Sequence, residues 1–343
     1  MKILQSCLFF AFVSLITCIS MDTEPIYCGL NQDERRNRLN FLFTNGNGNV
    51  ETVISNHPWT VSILKYEGKS RRRHLKIHCG GSLISTKHIL TASHCMHDQK
   101  NEDSMVKKED LRVILGATDP LFDGFEFEVK DYATHPKFTY PKAYFDVSIV
   151  ELTKSVTFGF DIFPICLPKL AITDENKWKG LPATMSGYGS KTGTQTQCSE
   201  SNSATLHYAK LSVLEHQDCT KKHYDDLIAS NSEESMKLQE KVRDILSEEK
   251  FTSELICSLA SSEELGTCPG DSGGPLVHYN EENGMNFQIG VVFGSLQVRI
   301  FKSTLRFLLS IICNGPIIRT GWEISVNIQI YISYNPKIYF FIT

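Results

Sequence analysis

The stretch Gly266-Thr267-Cys268-Pro269-Gly270-Asp271-Ser272-Gly273-Gly274-Pro275 constrains this chain more than any other. Glycines on both sides of Ser272 permit a tight backbone turn, and Cys268 can anchor that turn from one side. A hydroxyl presented by such a turn is placed to be a nucleophile. It is a weak one at its own pKa, so it needs a neighbouring base, and the base needs an orienting acceptor on its other nitrogen. Two upstream stretches offer these groups: Leu90-Thr91-Ala92-Ser93-His94-Cys95 and Phe145-Asp146-Val147-Ser148-Ile149-Val150. A Gly-x-Ser-Gly loop alone is weak evidence for catalysis; in this company it points to acyl transfer.

Further motifs occur in a fixed order around these: Cys79-Gly80-Gly81-Ser82-Leu83-Ile84, Phe163-Pro164-Ile165-Cys166-Leu167-Pro168 and Ser186-Gly187-Tyr188-Gly189. With the order His94, Asp146, Ser272, the chain resembles the chymotrypsin-like (trypsin-like) serine proteases from about Asn56 to Ser295. The resemblance implies an all-β fold of two antiparallel six-stranded barrels. It implies that Ser272 attacks, that His94 takes and later returns the proton, and that Asp146 holds the His94 tautomer. The backbone amides of Gly270 and Ser272 would form the oxyanion hole. Phe293 and Gly294 would border the substrate, with Gly266 at the base of the pocket. An aspartate at that base would select Lys or Arg; Gly266 cannot, which favours an apolar substrate side chain. Asp271 would pair with the amino terminus freed on activation, whereas on residue type alone it is a turn-capping aspartate. Four disulfides are implied: Cys79–Cys95 beside His94, Cys219–Cys257 closing a long loop, Cys28–Cys166 tying a propeptide to the body, and Cys268–Cys313. Cys198 matches no pair of the family.

A length of 343 residues accommodates a signal segment, a propeptide and one catalytic domain. Residues 1–20, with Lys2 ahead of Leu8-Phe9-Phe10-Ala11-Phe12-Val13, have the pattern of a signal peptide and are too short to span a bilayer. Eleven cysteines agree with an oxidising, extracellular compartment. Two of them, Cys7 and Cys18, would leave with the signal, so that nine remain. Residues 21–56 form a polar propeptide and activation segment, and 57–297 the protease domain. The family's activation motif, a basic residue followed by an apolar residue and two glycines, is absent; Arg38-Leu39 and Phe43-Thr44-Asn45-Gly46 come nearest.

Apolar, β-branched runs predict strands at Trp59–Leu64, Cys79–Ile84, Ile89–Ala92, Leu111–Gly116, Phe125–Val129, Ala183–Gly189, Leu206–Leu214 and Phe287–Ser295. Between the first two, Lys65 to Lys76 carries Arg71-Arg72-Arg73 and has the composition of a solvated basic loop, or of a surface for an acidic partner. His57, His74, His78, His88 and His97 compete with His94, but only His94 stands in the matched motif. The family usually has alanine where Ser93 stands, and a buried serine there requires a hydrogen-bond partner. The His and Cys spacings match no zinc pattern, so neither a metal nor a cofactor is expected. Residues 221–250 can form an exposed helical insertion with Met236, Leu238, Val242, Ile245 and Leu246 on one face.

After Leu296 the family pattern fails. Residues 298–343 are rich in Ile, Tyr, Phe and Asn, and have the composition expected of a read-through intron or frame error. The second barrel is therefore expected to lack its closing elements. The favoured function is a secreted serine endopeptidase zymogen acting on protein or peptide substrates, in an extracellular proteolytic cascade. Its partners would be an activating protease and a serpin-like inhibitor, and it would be a monomer. A net charge of −4 from 35 basic and 39 acidic residues gives no sign of nucleic-acid binding, and no membrane association is expected. The alternative is an inactive homologue acting as a binding or regulatory protein. A lipase or esterase is disfavoured, because the order His, Asp, Ser is not that of an α/β-hydrolase.

Overall fold

Burial of β-branched and aliphatic side chains organises the first half of the chain into a closed barrel. The computed structural model describes residues 28–30, 50–51, 54–68, 74–98, 101–139, 145–168, 180–189, 192–194, 197–198, 205–214, 255–256, 258–260, 268–294, 297–300, 328–331 and 339–342. The first strands are β1 (Val50–Glu51), β2 (Thr60–Glu67), β3 (His74–Leu83), β4 (His88–Thr91), β5 (His97–Asp98), β6 (Asn101–Met105), β7 (Leu111–Leu115), β8 (Phe125–Thr134) and β9 (Ser148–Leu152). Six of them close in the order β2-β3-β4-β9-β8-β7. Val61, Ile63, Leu83, Leu90, Val113, Leu115, Ile149 and Leu152 fill the interior. Full closure leaves this sheet no edge. β2 and β3 pair as far as Glu67 and His74. The basic stretch expected as loop from Lys65 to Lys76 is strand at both ends, where Lys65-Tyr66-Glu67 and His74-Leu75-Lys76 extend the hairpin; residues 69–73 lie outside the described residues.

The second half contributes β10 (Pro182–Gly187), β11 (Thr192–Thr194), β12 (Gln197–Cys198), β13 (His207–Val213), β14 (Leu255–Ile256), β15 (Ser258–Ala260), β16 (Pro275–Asn280), β17 (Met285–Gly294) and β18 (Gln297–Ile300). Seven of them join β1 in an eight-stranded antiparallel sheet in the order β1-β13-β10-β16-β17-β18-β14, with β15 also on β13; β11 and β12 form a separate ribbon. Among the described residues this sheet does not close. Its core is smaller, built on Ala183, Met185, Val213, Leu276, Ile289 and Val292. The fold is therefore the all-β chymotrypsin-like one, with one closed six-stranded barrel and a second, incomplete one. β18 lies beyond the point where the sequence motifs stop, and pairs with both β17 and β14. Further along, β19 (Ile328–Tyr331) and β20 (Tyr339–Ile342) pair, among the described residues, only with each other. The expected helical insertion at 221–250 lies outside the described residues.

Buried polar contacts fasten the two halves. Ser82 Oγ donates to Gln288 Oε1 at 2.5 Å, and the Thr60 and Ser186 hydroxyls lie 2.6 Å apart. Val291 of β17 joins the core of the first barrel. Two disulfides lie wholly among the described residues, Cys79–Cys95 within the first barrel and Cys28–Cys166. The second latches the segment around Gly29 onto the body. There the Gly29 N–H donates to the Pro164 carbonyl at 2.8 Å, and the Gly29 carbonyl accepts from both nitrogens of Asn286 at 2.9 Å.

Candidate active site

β4 ends at Thr91, and the chain turns through Ala92 and Ser93 into a single 3-10 turn, His94–Met96. Cys95 is buried and bonded to Cys79 of β3, so the backbone beside His94 is anchored covalently to the barrel. Opposite, Asp146 precedes β9 and is 1% exposed. Its two oxygens divide the work of holding the histidine. Oδ1 accepts the His94 backbone N–H at 2.6 Å and Oδ2 meets the ring Nδ1 at 2.7 Å. A carboxylate accepts only, so Nδ1 carries a proton, and in the neutral ring the other nitrogen, Nε2, then keeps its lone pair.

Two residues flanking this pair do more than their types announced. Phe145 has φ 56°, the one non-glycine residue in the left-handed region among the described residues. Such a backbone is costly for a bulky residue and persists only where its surroundings impose it. Here the Phe145 ring stacks on His135 at 4.8 Å and lies under the Lys137 ammonium at 5.6 Å, while its carbonyl accepts the Val147 N–H at 2.9 Å. The resulting kink turns Asp146 inward. Ser93, fully buried, finds the partner that its hydroxyl requires: Oγ donates to the Val147 carbonyl at 2.6 Å and lies 3.0 Å from Ser148 Oγ. The residue before the histidine is thus bonded to the residue after the aspartate. The left-handed Phe145 had no sequence signal, whereas the departure from alanine at Ser93 was visible.

Ser272 sits in a turn whose carbonyls and amides are largely committed. Asp271, Gly273 and Gly274 donate to Cys268, Val292 and Asp271 at 3.0, 2.7 and 2.9 Å, and the Ser272 carbonyl accepts the Gly80 N–H at 2.7 Å. The amides of Gly270 and Ser272 donate to no acceptor among the described residues. The Ser272 hydroxyl donates to the Phe293 carbonyl at a long 3.4 Å. The Phe293 ring in turn stands edge-on to the His94 ring at 5.5 Å. Cys95 Sγ also touches both groups, lying 3.8 Å from His94 Nε2 and 3.7 Å from the Ser272 carbonyl oxygen. Phe293 and the Cys79–Cys95 disulfide therefore bring the serine turn and the histidine to one place. Cys79, His94 and Cys95 also have donor atoms within 4.8 Å of one another. Their sulfurs are joined in the disulfide, so they are not the thiolates that a metal prefers.

Asp271 faces away from this centre. Its carboxylate is buried and accepts the Gly189 N–H at 2.8 Å and the Cys268 N–H at 2.9 Å. A side chain at residue 189 would start 2.2 Å from Oδ2, so glycine is required for the carboxylate to fit. Burial pushes the Asp271 pKa up from 3.8 to about 6, against the opposing pull of those two amides. Between these values the unfolded chain has lost a proton that the folded one keeps. The stabilising contribution is therefore full below pH 3.8 and is lost as pH rises through about 6. His57, His78 and His135, lowered by burial to about 4, act in the opposite sense, losing their contribution as pH falls from 6.5 towards 4. Comparing Asp271→Asn with the wild type isolates the aspartate. The stability difference, wild type minus variant, should fall by roughly 2 kcal/mol between pH 4 and pH 7 in urea titrations. A difference independent of pH would contradict this setting of the carboxyl group.

Cys268 is disulfide-bonded as well, to a residue outside the described set. Gly266, Cys219, Cys257 and Cys313, and the nearest activation matches at Arg38-Leu39 and Phe43-Thr44-Asn45-Gly46, also lie outside it. So does Cys198 as a side chain. Gly294 ends β17, next to Phe293.

Comparison with known proteins accords with this arrangement. Residues 47–300 match the trypsin family. The proclotting enzyme of Tachypleus tridentatus is 26% identical over 250 residues, covering 71% of this chain and 58% of that protein. Human mannan-binding lectin serine protease 1 is 27% identical over 245 residues, 68% of this chain and 30% of the relative. Trypsin delta of Drosophila erecta is 25% identical over 230 residues, 67% of this chain and 72% of the relative. The chain thus spans about a third to three-quarters of the length of these relatives.

Proposed function

Because the chain belongs to the trypsin family of serine proteases, we propose that it is a secreted serine endopeptidase, made as a zymogen, that cleaves peptide bonds through Ser272, His94 and Asp146. The observation that carries this reading is the doubly hydrogen-bonded His94–Asp146 pair, which leaves Nε2 of a half-buried histidine as the available base. In the proposed reaction Nε2 takes the Ser272 proton as Oγ attacks the substrate carbonyl. Asp146 stabilises the imidazolium so formed. The uncommitted amides of Gly270 and Ser272 hold the developing oxyanion, and the imidazolium returns its proton to the leaving amine. Water then attacks the acyl-enzyme by the same route in reverse. Rotation of the Ser272 hydroxyl away from the Phe293 carbonyl precedes attack.

Activation would follow cleavage in residues 21–56, with the new amino terminus placed against Asp271. The buried carboxylate in its glycine-lined setting suits a cation, which would draw its proton off. The Cys28–Cys166 bond would keep the released segment attached. Residues 1–20 would direct export, 57–297 act as the protease domain, and 298–343 stand outside the protease pattern. Among the described residues no helix is long and apolar enough to cross a membrane. The substrate would present an apolar side chain to a pocket with Gly266 at its base and Phe293 and Gly294 on its wall. Relatives named as clotting enzymes favour a place in an extracellular cascade, with an activating protease upstream and a serpin-like inhibitor in control.

A second reading, a non-catalytic homologue, is favoured by one observation, the Ser272 hydroxyl bonded to Phe293 rather than to His94. Labelling with a fluorophosphonate separates the two. The secreted chain, after limited proteolysis, should label in the wild type and not in Ser272→Ala, with His94→Ala reduced to background. Folded, cleaved wild-type protein that stays unlabelled would leave the binding homologue as the correct reading.

A further inference from the structure

We propose that His135 is a positioning residue for the reaction: it holds both neighbours of Asp146 and so fixes the two bonds that Asp146 makes to His94. The inference rests on the serine-hydrolase reading above and concerns a residue outside the three reacting groups.

Asp146 stands between Phe145 and Val147, and His135 reaches both. On one side the His135 ring stacks on the Phe145 ring, with centroids 4.8 Å apart and planes at 13°. On the other, the His135 N–H donates to the Val147 carbonyl at 3.0 Å. That carbonyl also accepts the Ser93 hydroxyl at 2.6 Å, so a single oxygen joins His135 to the residue before His94. The Val147 N–H returns to the Phe145 carbonyl at 2.9 Å, which closes a tight turn around the aspartate. With φ 56°, Phe145 holds a conformation that its own backbone disfavours, so outside contacts must impose it. The His135 stack and the Lys137 ammonium, 5.6 Å from the Phe145 centroid, supply them.

His135 is itself fixed. It is buried, its carbonyl accepts the Phe138 N–H at 2.9 Å, and its Nδ1 accepts the Lys137 N–H at 3.1 Å. A nitrogen that accepts carries no proton, so the neutral ring has its proton on Nε2. Protonation would set a hydrogen on Nδ1 against the Lys137 N–H and add a buried charge. The titratable groups around the ring do not favour that charge. Lys137 opposes it, Asp146 turns both oxygens to His94, and beyond Phe138 stands another histidine, His97. Burial, and then Lys137, lower the His135 pKa from 6.5 to about 4. The ring is therefore neutral above that value, and its hold on Phe145 opens as pH falls through it.

The direct readout is the proton between His94 Nδ1 and Asp146 Oδ2, which a short charge-assisted bond moves far downfield in the proton NMR spectrum. It reports the pair whether or not the chain hydrolyses anything. The full chain is compared as wild type, as His135→Ala, which removes the stack, and as His135→Phe, which keeps a ring but cannot titrate. At pH 7 the wild type and His135→Phe should show the resonance and His135→Ala should lose it. As pH falls through about 4 the wild type should lose it and His135→Phe retain it, with circular dichroism as the check on folding. In cleaved protein at pH 7, kcat for a peptide amide should drop about tenfold or more in His135→Ala with KM unchanged, and stay within about threefold in His135→Phe. A wild-type resonance in folded His135→Ala, equal loss of kcat in the two variants, or a wild-type resonance that persists below pH 4 would overturn the proposal. Should His135→Ala fail to fold, the pH comparison of wild type with His135→Phe decides; should acid unfold the chain, the comparison at pH 7 does. A cleaved wild type without hydrolysis would sink the enzyme reading and leave the resonance to decide this one.

Discussion

Replacing Asp146 by asparagine should slow peptide hydrolysis by about 10⁴-fold while leaving the protein folded. The two oxygens of Asp146 have separate duties, so the substitution separates position from chemistry. An asparagine oxygen in the place of Oδ1 can still accept the His94 backbone N–H, now at 2.6 Å, which preserves the turn. Its amide nitrogen then occupies the place of Oδ2, 2.7 Å from Nδ1, and presents a donor where an acceptor stood. The ring responds by keeping Nδ1 unprotonated and placing its proton on Nε2. That tautomer cannot take the Ser272 proton, and no carboxylate remains to stabilise an imidazolium. The measurement is kcat and KM for a peptide amide in the activated wild type and variant, beside urea denaturation of both. A loss below tenfold, with wild-type stability, would show that His94 does not act through Asp146.

Gly273→Ala should prevent folding or lower Tm by roughly 10 °C or more. Gly273 has φ +86°, and a Cβ there would stand 2.2 Å from Thr91 Oγ1 and 2.5 Å from the Gly80 carbonyl oxygen. The left-handed backbone and the overlap each cost about 1–3 kcal/mol for a residue with a side chain. Neither neighbour can yield cheaply. Thr91 Oγ1 donates to that same Gly80 carbonyl at 2.8 Å, and both residues belong to barrel strands that support His94. Relief by moving the Ser272 turn outward would also break the 2.7 Å bond from Gly80 to the Ser272 carbonyl. Gly159→Ala is the control, because nothing lies within 4 Å of its added methyl group. Thermal melts of the two variants should differ sharply. Equal melting points would show that the serine turn is not packed against the first barrel as described.

Much of the fold was legible because its strands follow a local rule. Runs such as Leu111–Leu115 and Ser148–Leu152 are rich in Val, Ile and Leu, and their burial needed no more than a neighbouring strand of the same kind. Strand ends were less legible. β8 continues to Thr134, five residues beyond Val129, through Lys130-Asp131-Tyr132, because pairing with β9 holds polar residues in the sheet. The hairpin arms Lys65-Tyr66-Glu67 and His74-Leu75-Lys76 are charged and solvated for the same reason. β18 eluded the motifs entirely; a short segment at the side of β17 and β14 is recruited by their backbone groups rather than by its own pattern.

For the site, the motifs flanking His94, Asp146 and Ser272, and the family resemblance they carry, nominated these residues among their competitors, and the chemistry agrees, because an activated hydroxyl needs a base and the base an acceptor. The same reading raised the question of what a buried Ser93 would bond. Local sequence could not answer it, since its partners Val147 and Ser148 are more than fifty positions away. The tertiary structure also decided that Asp146 takes His94 by two bonds, and that Phe145 adopts a strained backbone to aim it. It decided too that the Ser272 hydroxyl turns to the Phe293 carbonyl, and that Asp271 lies in a cradle too tight for any side chain at residue 189. Chemistry of the side chains is a property of each residue and can be read in order along the chain. Distance, desolvation and strain arise only when remote segments are pressed together, and no single segment carries them.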